Sequence, residues 1–121
     1  MRKGDDFVVV PPDLSIMDVI SKMTSARAGA VIVVEASGAL AGIFTQGDFA
    51  RAFQSGKPDI GSQAVRDFMT KNPISVHESK LVGEVLRILE ESRIDDLVVV
   101  NDARIPLGMI DTQDLTRLQI V

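Results

Sequence analysis

An α/β (α+β) fold of two β-α-β-β-α units, packed face to face with pseudo-two-fold symmetry, is what this sequence predicts. Three observations predict it. The first is a repeat: Gly42-Ile43-Phe44-Thr45-Gln46-Gly47-Asp48 returns 66 residues later as Gly108-Met109-Ile110-Asp111-Thr112-Gln113-Asp114. At the same offset Val10 falls on Val76, Val19 on Val85, Arg27 on Arg93, Val33 on Val99, Val34 on Val100 and Arg51 on Arg117. Self-similarity at a fixed period means a duplicated architecture. The second is that each copy alternates short β-rich runs with helix-period stretches. The third is size: a unit of about 50 residues buries too little surface to be secure alone, so two should pack together.

The elements follow in order. Phe7-Val8-Val9-Val10 is a short apolar strand stopped by Pro11-Pro12, since proline donates no ladder hydrogen bond; Ile74-Ser75-Val76 is its counterpart. Ile16, Val19, Ile20 and Met23 recur at three- and four-residue steps, the signature of a helix with one buried face. Ser15 stands where an N-cap is wanted, and Asp18 in the first turn suits the helix dipole. Gly29 is expected to end this helix. Val82, Val85, Leu86 and Leu89 repeat the pattern in the second copy. Ala30-Val31-Ile32-Val33-Val34 and Leu97-Val98-Val99-Val100 are continuously apolar, so both faces of these strands should be covered. Ala36-Ser37-Gly38 and Asn101-Asp102-Ala103 turn the chain into Leu40–Phe44 and Leu107–Ile110. Asp48 and Asp114 then open amphipathic helices.

The stretch from Gln54 to Gly61 reads as a surface connection. The division expected is a first unit over residues 1–57, a linker over 58–64 and a second unit over 65–121. Val65, Phe68 and Met69 suggest a short helix leading into the second unit. The first unit shows no such lead-in, which suggests an excised fragment.

Composition excludes several functions. The 121 residues are 45% apolar and 25% charged, with formal charge −4, an ordinary globular balance. No apolar run approaches the roughly 20 residues of a membrane span, so the expected location is the cytoplasm. There is no Cys and one His, which rules out thiolate and multi-histidine metal sites. Basic residues form no stripe and Phe is the only aromatic type, so nucleic acid is not an expected partner. Ser-His-Asp arrangements, phosphate-cradling P-loops and dinucleotide fingerprints are not evident, and no cofactor is required. His77 reads as a solvated loop histidine.

The strand–turn–helix Gly42–Asp48, the entry Asp67-Phe68-Met69-Thr70-Lys71-Asn72-Pro73 and Arg93-Ile94-Asp95-Asp96-Leu97-Val98-Val99-Val100 resemble the CBS domain. Two in tandem resemble a CBS pair, or Bateman module. Gly42 to Phe53, the spacer with Gly56, and Asp114 to Val121 further resemble the C-terminal CBS pair of arabinose-5-phosphate isomerases. That resemblance implies a preceding sugar-isomerase domain carrying the active site, a role in making the eight-carbon sugar acid of lipopolysaccharide, and no catalysis by this chain. CBS pairs commonly form flat dimers, so a homodimer through the amphipathic helices is expected.

By the same resemblance, a first ligand site would use Thr45 on phosphate and Asp48 on ribose hydroxyls, with the base near Ile74, Ile94 and Asp95. A hydroxyl with helix N–H groups suits phosphate, and a carboxylate suits two neighbouring hydroxyls. A second site would use Asp111 and Asp114, with Val8, Ala28 and Gly29 lining the base pocket. There Asp111 replaces the hydroxyl residue, and its charge opposes phosphate by roughly 1–4 kcal/mol at about 4 Å. That site is expected to bind nucleotide poorly or not at all. Asp95 and Asp96 disfavour phosphate at the first site too, so the expected ligand is a weakly held adenine nucleotide or a cytidine sugar nucleotide. A ligand-free dimerisation module is the alternative. Asp48 and Asp114 also suit the role of helix caps, and Arg51 and Arg117 are spaced to pair with them on the helix surface.

Overall fold

The computed structural model describes residues 2–3, 7–71, 73, 75–79, 87 and 96–111. Ile74, the second unit's first helix, Ile94, Asp95 and the helix opened by Asp114 lie outside them.

In the first half, β2 (Val9–Val10) leads through α1 (Ile16–Ala26) to β3 (Ala30–Val34), β4 (Leu40–Thr45) and α2 (Gln46–Gln54). Strand β2 pairs parallel with β3, and β3 antiparallel with β4. The predicted run from Phe7 is therefore a strand only at its last two residues, although the Val8 carbonyl still accepts from Ile32 N–H at 2.9 Å. In the second half β6 (Ser75–His77) pairs parallel with β7 (Asp96–Val100), which pairs antiparallel with β8 (Pro106–Asp111). The duplication extends to an irregularity: the register shifts between Val33 and Val34 in one sheet and between Val99 and Val100 in the other.

Helix α1 begins as its sequence asks, with the Ser15 side chain accepting from Asp18 N–H at 3.2 Å. It ends earlier than Gly29. Arg27 is the C-cap, left-handed at φ 53°, and its N–H reaches the carbonyls of Met23 and Thr24. The left-handed cap falls on a residue that is neither Gly nor Asn. Helix α2 also starts earlier than expected. Thr45, not Asp48, is its N-cap, and Asp48 is the third helical residue.

The continuous apolar strands are covered on both faces. Val31, Val33 and Phe44 face one core with Ile16, Val19, Met23 and Ala52. Ala30, Ile32, Leu40 and Ile43 form a second core with Val98, Val100 and Met109 of the other sheet. The two sheets therefore pack face to face, and Leu40 N–H also donates across to the Arg104 carbonyl at 2.8 Å. Each fully buried aliphatic or phenyl side chain contributes about 1.5–3 kcal/mol.

Residues 60–71 depart from the sequence reading. In place of the short helix expected around Val65, Phe68 and Met69 there are two 3-10 turns, Ile60–Ser62 and Val65–Asp67. Ile60 and Val65 are buried in the first core, with Phe68 and Met69 packed against it. Strand β5 (Thr70–Lys71) then pairs with β4, placing Thr70 opposite Ile43 and Lys71 opposite Gly42. The segment that was expected to lead into the second half completes the first half's sheet. A reciprocal element exists after all: β1 (Arg2–Lys3) pairs with β8, with Arg2 opposite Met109 and Lys3 opposite Gly108. The sheet orders are β2-β3-β4-β5 and β6-β7-β8-β1.

Candidate functional site

The site is built where β4 hands over to α2. At Thr45 the backbone is extended, with φ −114° and ψ 171°, and the helix follows. A hydroxyl at the N-cap accepts from an otherwise orphan helix N–H, and an acidic side chain at the third helical position reaches back to the cap. Both bonds are present. Thr45 Oγ1 accepts from Asp48 N–H at 3.1 Å, and Asp48 Oδ2 accepts from Thr45 N–H at 2.9 Å. The Thr45 hydroxyl also lies 3.2 Å from Oδ2 as a donor.

The other carboxylate oxygen is occupied as well. Arg51 Nη2 donates to Asp48 Oδ1 at 2.7 Å, and the Thr70 hydroxyl donates to the same oxygen at 3.0 Å. The helix-surface pairing expected of Arg51 is present. Asp48 is only 4% exposed, although the Arg51 side chain covering it is 69% exposed. An ionised carboxylate in such a place must be hydrogen-bonded, and the four donors satisfy it. Gln46 N–H is also spent, on the Gly29 carbonyl at 3.1 Å.

That last bond places Ala28 and Gly29 beside the Thr45 motif. With Gln46, Phe49, Met23 and Arg27 they line a cavity of ≈ 570 Å³ between α1 and α2. The sequence reading grouped Ala28 and Gly29 with Asp111 and Asp114. The structure brings them to the Thr45 end of the first sheet, where Ala30 pairs with Thr45. Val8 lines a different cavity, with Ser21, Lys22, Ser25 and Ala26. Asp111 closes β8 opposite Asp96. Ile74, Ile94, Asp95 and Asp114 lie outside the described residues.

Sequence reasoning missed Thr70, Gln46 and Arg27. Thr70 is 22 residues from Asp48 and is delivered by a two-residue strand with no periodicity to read. Gln46 carried a signal, since it follows the N-cap within the motif itself.

His77 also differs from expectation. It ends strand β6, half-buried, with Nε2 2.5 Å from Asp102 Oδ1 and Nδ1 2.9 Å from Ser79 Oγ. A Ser-His-Asp row therefore exists in space. Asp102 is 97% exposed on its side chain, and Ser79 N–H turns back onto the same Nδ1 at 3.2 Å. The row fastens the end of β6 to the β7–β8 turn.

The described strands of the two halves thus pair in the same register at the 66-residue offset, and comparison with known proteins agrees. The family model for the CBS domain matches residues 1–55 and again residues 65–120. The chain belongs to the CBS domain family. As a CBS pair it superposes on the CBS-domain containing protein ATU1752 from Agrobacterium tumefaciens with a TM-score of 0.83 and 28% identity, covering 96% of this chain and 91% of that one. On the CBS domain pair of protein MJ0100, in complex with 5′-methylthioadenosine and S-adenosyl-L-methionine, the TM-score is 0.84 at 26% identity, covering 97% and 94%.

The pair is also similar to longer proteins. It is 33% identical to arabinose 5-phosphate isomerase KdsD of Francisella tularensis and 32% identical to that of Pseudomonas aeruginosa. The alignments cover 99% and 100% of this chain but 36% and 37% of those proteins. The CBS pair therefore spans little more than a third of these relatives. No helix among the described residues is long and apolar enough to cross a membrane.

Proposed function

We propose that this CBS pair is a non-catalytic regulatory module that binds a nucleotide or sugar nucleotide. On this reading it forms the C-terminal part of a cytoplasmic bacterial arabinose-5-phosphate isomerase, behind a sugar-isomerase domain. The observation that carries it is the Thr45–Asp48 pair standing beside the cavity lined by Ala28, Gly29 and Gln46. A hydroxyl, a carboxylate and an apolar recess with Phe49 are the groups that phosphate, ribose and base would need. The likeness to the MJ0100 pair, whose two ligands both contain adenosine, supports an adenine nucleotide. A cytidine sugar nucleotide remains the second ligand to test. Regulation would follow from differential binding, with ligand favouring one arrangement of the pair and so shifting the attached enzyme.

Titration calorimetry and thermal unfolding with AMP, ATP and a CMP-linked sugar test the reading. A ligand at 100 times its dissociation constant stabilises the folded state by about 2.7 kcal/mol. Saturable heat with a matching rise in melting temperature is the expected result, and no response to any of the three overturns it. The isolated chain is expected to show no isomerase turnover.

The second reading, a ligand-free dimerisation module, draws on a different observation. Phe53 is 71% exposed on α2, and Met17 is 65% exposed on α1. Sedimentation showing a dimer, with no thermal response to nucleotide, would favour it. A homodimer through the helices is expected under either reading.

A further inference from the structure

From the contacts of Asp48 we infer that the ligand site is self-occupied. Arg51 and Thr70 fill the carboxylate oxygen that a ligand's hydroxyls would need, and ligand entry displaces them. This rests on the proposal that Thr45 and Asp48 form a ligand site. The argument concerns the two oxygens of Asp48 separately. Oδ2 belongs to the helix cap, held by Thr45 N–H at 2.9 Å and the Thr45 hydroxyl at 3.2 Å. Giving that oxygen to a ligand would cost the start of α2. Oδ1 is held by Arg51 at 2.7 Å and Thr70 at 3.0 Å, and neither bond is needed to start the helix.

A carboxylate oxygen offers about two lone-pair sites, so two new donors cannot join Oδ1 while two old ones remain. A vicinal diol brings two hydroxyl donors and can replace both occupants. Arg51 can leave readily. Its side chain is 69% exposed, and it lies over Gly47, where an added Cβ would sit 3.5 Å from Nη1.

Thr70 makes the exchange more than local. It sits on β5, whose register with β4 is Gly42 to Lys71 and Ile43 to Thr70, and β5 leads directly into the second half. Displacing the Thr70 hydroxyl removes a side-chain tether of a strand only two residues long. Occupation of the site in the first half would thus be felt in the segment that joins the halves.

Adenosine is the cleaner probe, because it offers the diol without a phosphate that Arg51 would attract. Calorimetry compares the unsubstituted chain with Arg51→Met and Thr70→Val, using adenosine, 2′-deoxyadenosine and AMP. Loss of a largely exposed competitor should tighten adenosine binding about 2- to 5-fold in Arg51→Met. 2′-Deoxyadenosine brings only one of the two hydroxyls and needs only one place on Oδ1, so it should bind more weakly than adenosine, with a similar gain in Arg51→Met. Amide exchange at residues 70–71 should quicken when adenosine saturates the unsubstituted chain. In Thr70→Val it should be fast already and change no further. Adenosine affinity that is unchanged or weaker in Arg51→Met overturns the inference, as does unaltered exchange at 70–71 when adenosine saturates the unsubstituted chain. In each case the ligand-site reading still stands. If adenosine, AMP, ATP and a CMP-linked sugar all fail to bind the unsubstituted chain and both variants, that reading fails and this inference fails with it.

Discussion

Replacing Asp48 by alanine removes three kinds of contact at once, and the structure sets the scale of each. Its bond to Thr45 N–H is one arm of a capping box, worth about 1 kcal/mol, and Oδ2 makes it at 2.9 Å. The Thr70 hydroxyl bond at 3.0 Å joins separate elements through a buried charged acceptor, so about 1 kcal/mol or slightly more is at stake. The Arg51 pair is short, but its arginine is 69% exposed; solvent screening limits it to about 0.5 kcal/mol. Asp48→Ala should therefore cost about 2–3 kcal/mol. Asp48→Asn keeps an acceptor for Thr45 N–H but sets an amide donor among donors, so its cost should be about 1–2 kcal/mol. Urea unfolding measures both, and with a slope of about 1–3 kcal/mol per molar the alanine midpoint should fall by about 0.7–3 M. A double-mutant cycle with Thr70→Val should give a coupling of about 1 kcal/mol. An Asp48→Ala cost below about 0.5 kcal/mol, or no coupling to Thr70, would refute the satisfied-carboxylate geometry. It would leave Asp48 a free acceptor.

Other residues give sharper contrasts. An alanine Cβ at Gly42 would lie 2.7 Å from Met69 Sδ and 2.8 Å from the Thr70 carbonyl; since the latter is backbone, Gly42→Ala should cost about 1–3 kcal/mol in urea unfolding. At Gly29 a Cβ meets nothing within 4 Å, and Gly29→Ala should stay within about 0.5 kcal/mol of the parent. Arg27 caps α1 at φ 53°, so Arg27→Gly should raise the thermal midpoint, by up to about 1 kcal/mol of stability. Ile32 lies fully buried between the sheets, and Ile32→Ala should cost about 2–5 kcal/mol by chemical denaturation.

Much of the fold was legible because its signals are local or periodic. Ser15 and Asp18 mark the start of α1 within four residues, and the 66-residue offset places β3 and β4 on β7 and β8. The apolar run Ala30–Val34 announced two covered faces, although only the structure sorts Val31 and Val33 from Ala30 and Ile32. What escaped was long-range or disguised. Strands of two residues, such as β1 and β5, have no period, so their pairings could not be read. The capping box was hidden because Asp48 stands where glutamate or glutamine is usual. His77 and Asp102 are 25 residues apart and meet only once β6 and β7 are paired.

The same edge strands bear on why one residue pair cannot be assigned to function or structure alone. Asp48 starts α2 through Oδ2 and holds β5 through Oδ1. β5 in turn lies in the first sheet and opens the path to β6. A variant that deletes Asp48 therefore perturbs cap, tether and the proposed ligand acceptor together, and a lost ligand response in it would not identify the cause. Arg51 and Thr70 separate the functions, because their bonds to Oδ1 leave the cap intact. The Thr-x-x-Asp motif is a structural cap on one oxygen and, on the proposed reading, an exchangeable acceptor on the other. Any role in sensing must act through the second.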